Sequence, residues 1–362
     1  MASDELGNLP KEVIEKILML LPIRDAMKTC VLSSSWKNRW ASMPELVFDT
    51  RSIPSSIKGE HGRTNYLAKF VDKSLMLHDG IISKFKLDNF LEHGCSDVDQ
   101  WILCLSRKKT LKHLALLFKN TTNTYQIPSC LFSCQTLRKL ELKSCKLSLL
   151  PSQYQGFDNI IFLKLYNVTI TNDTFELLVN KIPLLRTLRV WHCNSLARCN
   201  INAPNLQSVS IAGSFESINF QNAAKVTSAS FRIKLPGLSE ALRGLDRLEA
   251  VCICHPFLEA LWNRQSAVLH EKNFWEARLL RKEEDDVFNN LKTVTLSGFK
   301  GVKNDIGFSQ FILLNALRLK TFCIFPEQTA FMKKKPHVVE KMMQFQRAST
   351  IAKVVFKNKV PV

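Results

Sequence analysis

Eleven cysteines and eight histidines are the side chains of this 362-residue chain that could hold a metal or act as nucleophiles. Their spacing decides against both. Cys130 and Cys134 lie four apart, and Cys252, Cys254 and His255 fall close together, yet neither group has a second half at the spacing of a tetrahedral zinc site. The cysteine count is odd and no CxxC pair occurs, so no disulfide framework is expected. The thiols read as reduced and buried, those of a cytoplasmic or nuclear protein. His270-Glu271 lacks the second histidine that would complete a metal-binding helix. With no Gly-rich phosphate loop, no G-x-S-x-G and no HExxH, no catalytic residue, metal or cofactor is expected.

The formal charge of +18, from 50 Lys and Arg against 32 acids, is the other chemical resource. A basic protein attracts anions. The charges are dispersed, however. Lys333-Lys334-Lys335 is the densest cluster, and no helix-turn-helix, zinc finger or aromatic-basic RNA motif accompanies it. Nucleic acid is therefore not the expected partner. The apolar runs fall short of the roughly 18 residues of a membrane span and are broken by charges, so no membrane association is expected either. The opening residues, MASDELGN, are polar and acidic, unlike a secretory signal.

Chemistry of association is more legible. Leu9, Val13, Ile17 and Leu21 recur every four residues, with Ile14 and Leu18 beside them, and predict a helix with a wide apolar face. Asn8 suits its cap, Pro10 a first helical position, and Pro22 ends it at Leu21. A second helix is expected from Arg24 to about Leu32, and Ser33-Ser34-Ser35 offers a cap for a third that carries Trp36 and Trp40 on one face. So small a bundle cannot bury that much apolar surface internally, so some of it faces a partner or the rest of the chain.

The same residues resemble an F-box: LP-x2-V-I-x2-I-L-x2-LP at Leu9 to Pro22, then Asp25, Cys30, Leu32-Ser33, and W-x3-W at Trp36 and Trp40. The resemblance implies docking on a Skp-type adaptor and, through it, on a cullin in an SCF ubiquitin ligase. Carried over residue by residue, it names Leu9, Pro10, Ile14, Ile17, Leu18, Leu21, Pro22, Leu32 and Trp36 as the docking set. Skp-type adaptors are acidic, which suits a basic chain.

Beyond this module the spacing L-x2-L-x-L-x2-N/C recurs. It runs through Ile82-Phe85-Leu87-Phe90, Leu111-Leu114-Leu116, Leu137-Leu140-Leu142-Cys145, Ile160-Leu163-Leu165-Val168 and Leu185-Leu188-Val190-Cys193. Leu206-Val209-Ile211, Val226-Ala229-Phe231 and Leu248-Val251-Ile253 continue it, in steps of roughly 20 to 29 residues, mostly within the leucine-rich-repeat range. Cys145 and Cys193 fall where such repeats place a small side chain beneath the turn. Residues flanking the leucines alternate outward, giving an exposed ladder of Lys139, Glu141 and Lys143; Phe162, Lys164 and Tyr166; Arg189 and Trp191; and Ser208 and Ser210. Phe162, Tyr166, Arg189 and Trp191 are of the types that dominate interface energy, and form the candidate substrate patch.

The charged stretch Asn263 to Asn290 breaks the period and reads as an insertion. The pattern resumes at Leu291-Val294-Leu296 and Leu319-Phe322-Ile324, with a helix from Phe308 to Leu319 and a strand ending at Phe356. LKTVTLSGFKG, FILLNA and RASTIAKVVF resemble the FBD region that follows leucine-rich repeats in a plant group of F-box proteins. The expected fold is α/β: a small all-α F-box bundle (5–50), a linker with a connecting helix (51–80), a leucine-rich-repeat solenoid (81–262), the insertion (263–290) and an FBD-like region completing the solenoid (291–362). Two functional readings stand. One is a non-catalytic substrate-recognition subunit of an SCF ligase, with an unknown protein substrate; the other is a basic leucine-rich scaffold, nucleic-acid-associated, whose helices merely cap the solenoid.

Overall fold

The computed structural model describes residues 9–88, 97–119, 124–148, 150, 154–234, 244–254, 288–327 and 335–357. They divide into two compact units: Met1–Thr174 with Lys181–Leu184, and Phe175–Asn180 with Leu185–Val362.

In the first unit the helices are α1 (Lys11–Met19), α2 (Ile23–Lys28), α3 (Glu60–Leu77) and α4 (Asp97–Arg107). Its strands are β1 (Glu45–Phe48), β2 (Lys84–Asp88), β3 (His113–Leu117), β4 (Tyr125–Gln126), β5 (Lys139–Lys143), β6 (Cys145–Leu147), β7 (Phe162–Tyr166) and β8 (Thr169–Ile170). β1, β2, β3, β5 and β7 form one parallel sheet in that order, and β4, β6 and β8 a separate one. The register sets Phe85 beside Leu114, Leu140 and Leu163, one buried row across successive turns of chain. No one of those leucines could be covered within its own repeat; the next repeat covers it.

In the second unit β9 (Thr187–Trp191), β11 (Ser208–Ser214), β13 (Ser228–Lys234), β14 (Ala250–Cys254), β15 (Thr293–Phe299), β16 (Thr321–Pro326) and β17 (Lys353–Phe356) pair in parallel, each with the next. β10 (Arg198–Asn202) and β12 (Ser217–Gln221) make a second, two-stranded sheet. Helix Lys303–Asn315 is tied in at its start by Asp305, whose buried carboxylate accepts the amides of Lys300 (2.7 Å) and Gly301 (2.9 Å).

The described leucine-type positions of the repeat are buried, from Ile82 to Ile324. Phe90 lies outside the described residues, as do Asn8 and most of the insertion. Ser144, Asn167 and His192 each take a φ of 52° just after β5, β7 and β9, the left-handed turn that lets the chain leave the sheet. Cys145 is fully buried, whereas Cys193 is half-exposed, so the thiol-under-the-turn reading fits the first cysteine better than the second.

The extended segment PELVFD, Pro44 to Asp49, that closes the amino-terminal module enters the sheet as β1, in register with β2 from Glu45–Lys84 to Phe48–Leu87. Two elements differ from expectation. The third helix is absent, replaced by the tight turns Ser34–Trp36 and Arg39–Ser42, because Asn38 between them adopts a left-handed φ of 68°. The helix expected from Phe308 to Leu319 is placed earlier, at Lys303–Asn315.

Candidate docking face

α1 and α2 are each preceded by a proline whose carbonyl takes the first helical amides. Pro10 accepts from Val13 (2.9 Å) and Ile14 (3.1 Å), and Pro22 from Asp25 (2.8 Å) and Ala26 (3.0 Å). Pro10 thus stands at the cap rather than inside the first turn; either place spares its missing N–H. Around them Ile14, Leu18, Ala26, Trp36, Trp40, Ala41 and Met43 form a closed core, with Leu9 and Met27 packed against it.

Three members of the expected docking set are therefore interior. Ile14, Leu18 and Trp36 are buried and support the surface rather than belong to it. Pro10, Leu21 and Leu32 are exposed, and Leu9, Ile17 and Pro22 are half-buried. Val13, Met19, Leu20 and Val31, outside the expected set, are also exposed large apolar side chains; Leu20 is 84% and Val31 82% accessible, beside Leu32 at 65%. The signal was present but ambiguous. Val13, Ile17 and Leu20 form one stripe on α1 and Ile14 and Leu18 the adjoining one, and periodicity does not say which turns inward.

Below this face runs a small cleft of about 170 Å³ lined in part by Leu20, Pro22, Glu45, Arg51 and Lys84. Its charges are matched: Arg51 pairs with Asp49 (2.5 Å) and Lys84 with Glu45 (2.7 Å). The loop after α3 clasps the module to the first strands of the sheet. The amides of Asp79 (3.1 Å) and Gly80 (3.2 Å) both donate to the carbonyl of Ala41.

Of the candidate substrate residues, Phe162 and Tyr166 belong to the first unit and Arg189 and Trp191 to the second. In the first, Phe162 and Tyr166 project half-buried from β7, and the Lys143 ammonium stands 5.7 Å from the Tyr166 ring centre. In the second, Arg189 stands 5.8 Å over the Trp191 ring, whose Nε1 donates to Ser210 Oγ at 2.9 Å. The outward ladder expected on these strands is the one observed, with burial alternating along β5, β7 and β9.

Among the described residues no group of three His, Cys, Asp or Glu side chains could hold a metal ion, and no helix is long and apolar enough to cross a membrane. Burial raises the thiols of Cys130, Cys199 and Cys252 and pushes Cys134 up to about 12, away from the thiolate a nucleophile needs.

Comparison with known proteins places these features in order along the chain. An F-box domain matches residues 6–48, the leucine-rich repeats of the FBD-associated F-box protein At5g56370 match 98–239, and an FBD region matches 287–324. The Arabidopsis thaliana F-box/FBD/LRR-repeat protein At1g13570 is 37% identical over 228 residues, 63% of this chain and 53% of that protein. The putative F-box protein At1g67390 is 26% identical over 253 residues, 65% of this chain and 53% of its own; F-box/LRR-repeat protein At3g26922, also 26% identical, matches 68% of this chain and 89% of its own length. Both are likewise from Arabidopsis thaliana. The chain spans about half the length of the first two.

Proposed function

The chain belongs to the plant F-box/FBD/leucine-rich-repeat proteins, and from that premise we propose that it is a substrate-recognition subunit of an SCF-type ubiquitin ligase. In this reading the F-box docks on a Skp-type adaptor, which links it to a cullin, while the outward faces of the parallel strands receive a target protein. The subunit performs no chemistry itself. It holds the target near a ubiquitin-charged enzyme bound elsewhere, raising effective concentration and so the transfer rate.

The observation that carries the reading is the exposure of Leu20, Val31 and Leu32 on a module whose own core is already closed around two tryptophans. Burying such a side chain against a partner contributes about 1.5–3 kcal/mol each. The half-buried Ile17 and Pro22 border the same residues in sequence. The net charge of +18 would add long-range attraction to an acidic adaptor.

Co-purification with several Skp-type adaptors tests it, using the intact chain and a Leu20→Asp, Leu32→Asp double variant. The intact chain should form a stable complex that persists in added salt, and the double variant should lose it while melting at the same temperature. An intact, folded chain that binds none of the adaptors would overturn the reading.

A further inference from the structure

The outward face of the first unit's sheet has a charge pattern that specifies what it can receive. Each acid on it already has a cation: Glu45 meets Lys84 (2.7 Å), Asp88 meets Lys86 (2.7 Å), and Glu141 meets both His113 (3.1 Å) and Lys164 (3.7 Å). His113 and Lys164 together hold the Glu141 carboxyl below its ordinary range, so it is charged at neutral pH. Lys139 and Lys143 lie on β5, two positions to either side of Glu141, the Lys143 ammonium over the Tyr166 ring. Each has an aromatic directly across in register, Phe162 opposite Lys139 and Tyr166 opposite Lys143.

We infer that this face binds an extended acidic segment of a partner protein, with carboxylates four residues apart over Lys139 and Lys143 and a non-acidic residue between them over Glu141. An extended chain advances about 3.3 Å per residue, so the two lysines stand about 13 Å apart, the span of positions i and i+4 in an extended peptide. Alternation places i+2 on the same side, where the negative Glu141 disfavours another acid. Phe162 and Tyr166 add apolar area beside each cation, the combination that concentrates binding energy. A nucleic-acid strand fits less well, because its regularly spaced phosphates would meet Glu141 and Asp88 as well as the lysines. The inference rests on the reading of this chain as a substrate receptor, and names the class of segment received.

The test uses the full chain and fluorescein-labelled extended peptides with glutamates four positions apart around a central tyrosine. Binding should weaken with salt and should fall roughly tenfold when the glutamates are moved to two positions apart. Lys139→Glu should lose binding to a similar extent, and a peptide with lysine in place of the facing glutamate should restore it, which a misfolded variant could not do. Lys112→Glu, an exposed lysine outside this face, should leave affinity unchanged. No binding, equal affinity for both spacings, indifference to Lys139→Glu, or displacement of the peptide by single-stranded oligonucleotide more tightly than by itself would each overturn the inference. Adaptor co-purification on the same preparations separates the two claims: adaptor bound without peptide sinks only this one, and peptide bound without adaptor sinks only the ligase reading.

Discussion

The Nε2 of His78 donates to the carbonyl oxygen of Met43 at 2.8 Å, joining the end of α3 to the last residue of the F-box core. The ring is buried, and burial favours its neutral form, against a smaller pull from the Gly80 backbone. Burial lowers its pKa most; the bond to Met43 opposes this, nearby Lys108 adds to it, and Asp79 opposes it.

A histidine whose folded pKa lies below its unfolded value binds fewer protons in the folded state than in the unfolded one. The stability contributed by neutral His78 is therefore complete above about 6.5, the ordinary histidine value, and is lost as pH falls from there toward the lowered folded value. Urea unfolding at pH 7.5 and 5.5 should show a loss on acidification that His78→Gln reduces, since glutamine can donate to Met43 but does not titrate. An equal loss in both proteins would rule His78 out as the source.

Gly80 serves the same clasp by lacking a side chain. A Cβ there would stand 2.7 Å from Ser42 Cα and 2.9 Å from Ser42 O, both backbone atoms with little room to retreat. Gly80→Ala should cost about 1–3 kcal/mol and lower the melting temperature. Gly62→Ala, within α3 and 3.7 Å from its nearest neighbour, should instead stabilise by up to about 1 kcal/mol.

Leu18 and Leu20 differ by two positions and in what they do. Leu18 is fully buried, so Leu18→Ala should destabilise the chain by about 2–5 kcal/mol, measured by denaturant unfolding. Leu20→Ala should leave that measurement within about 0.5 kcal/mol and act only on adaptor affinity.

Asp305 closes the loop that introduces helix Lys303–Asn315. Asp305→Ala would leave the Lys300 and Gly301 amides without their acceptor, at a cost of about 2–4 kcal/mol; Asp305→Asn, which keeps one carbonyl oxygen, should cost less. Equal unfolding midpoints for the two variants would show that the charge of the carboxylate, not its shape as an acceptor, carries the loop.

Among the described thiols, alkylation of the native protein should modify exposed Cys30 first and leave Cys134, Cys145 and Cys199 until the chain is unfolded. Mass spectrometry of partially alkylated protein reads the order directly.

The amino-acid sequence by itself determined the order of modules and the inward positions of nearly every repeat, from Phe85 and Leu87 to Phe322 and Ile324. It could do so because burial of one sheet face demands a fixed alternation, and alternation is written in residue types. It also contained the F-box motif, yet not the orientation of its stripes: Ile14 and Val13 are both apolar, and only packing on Trp36 and Trp40 turned the first inward and left the second outside. The turn at Asn38 and the entry of β1 into the sheet were likewise decided by tertiary context, since four residues of extended chain have no identity as a strand until β2 pairs with them. The same holds for Lys139 beside Phe162. Sequence placed each on the outward face; only the register between β5 and β7 made them neighbours, because a strand's own pattern says which side a residue occupies and nothing about what lies across from it.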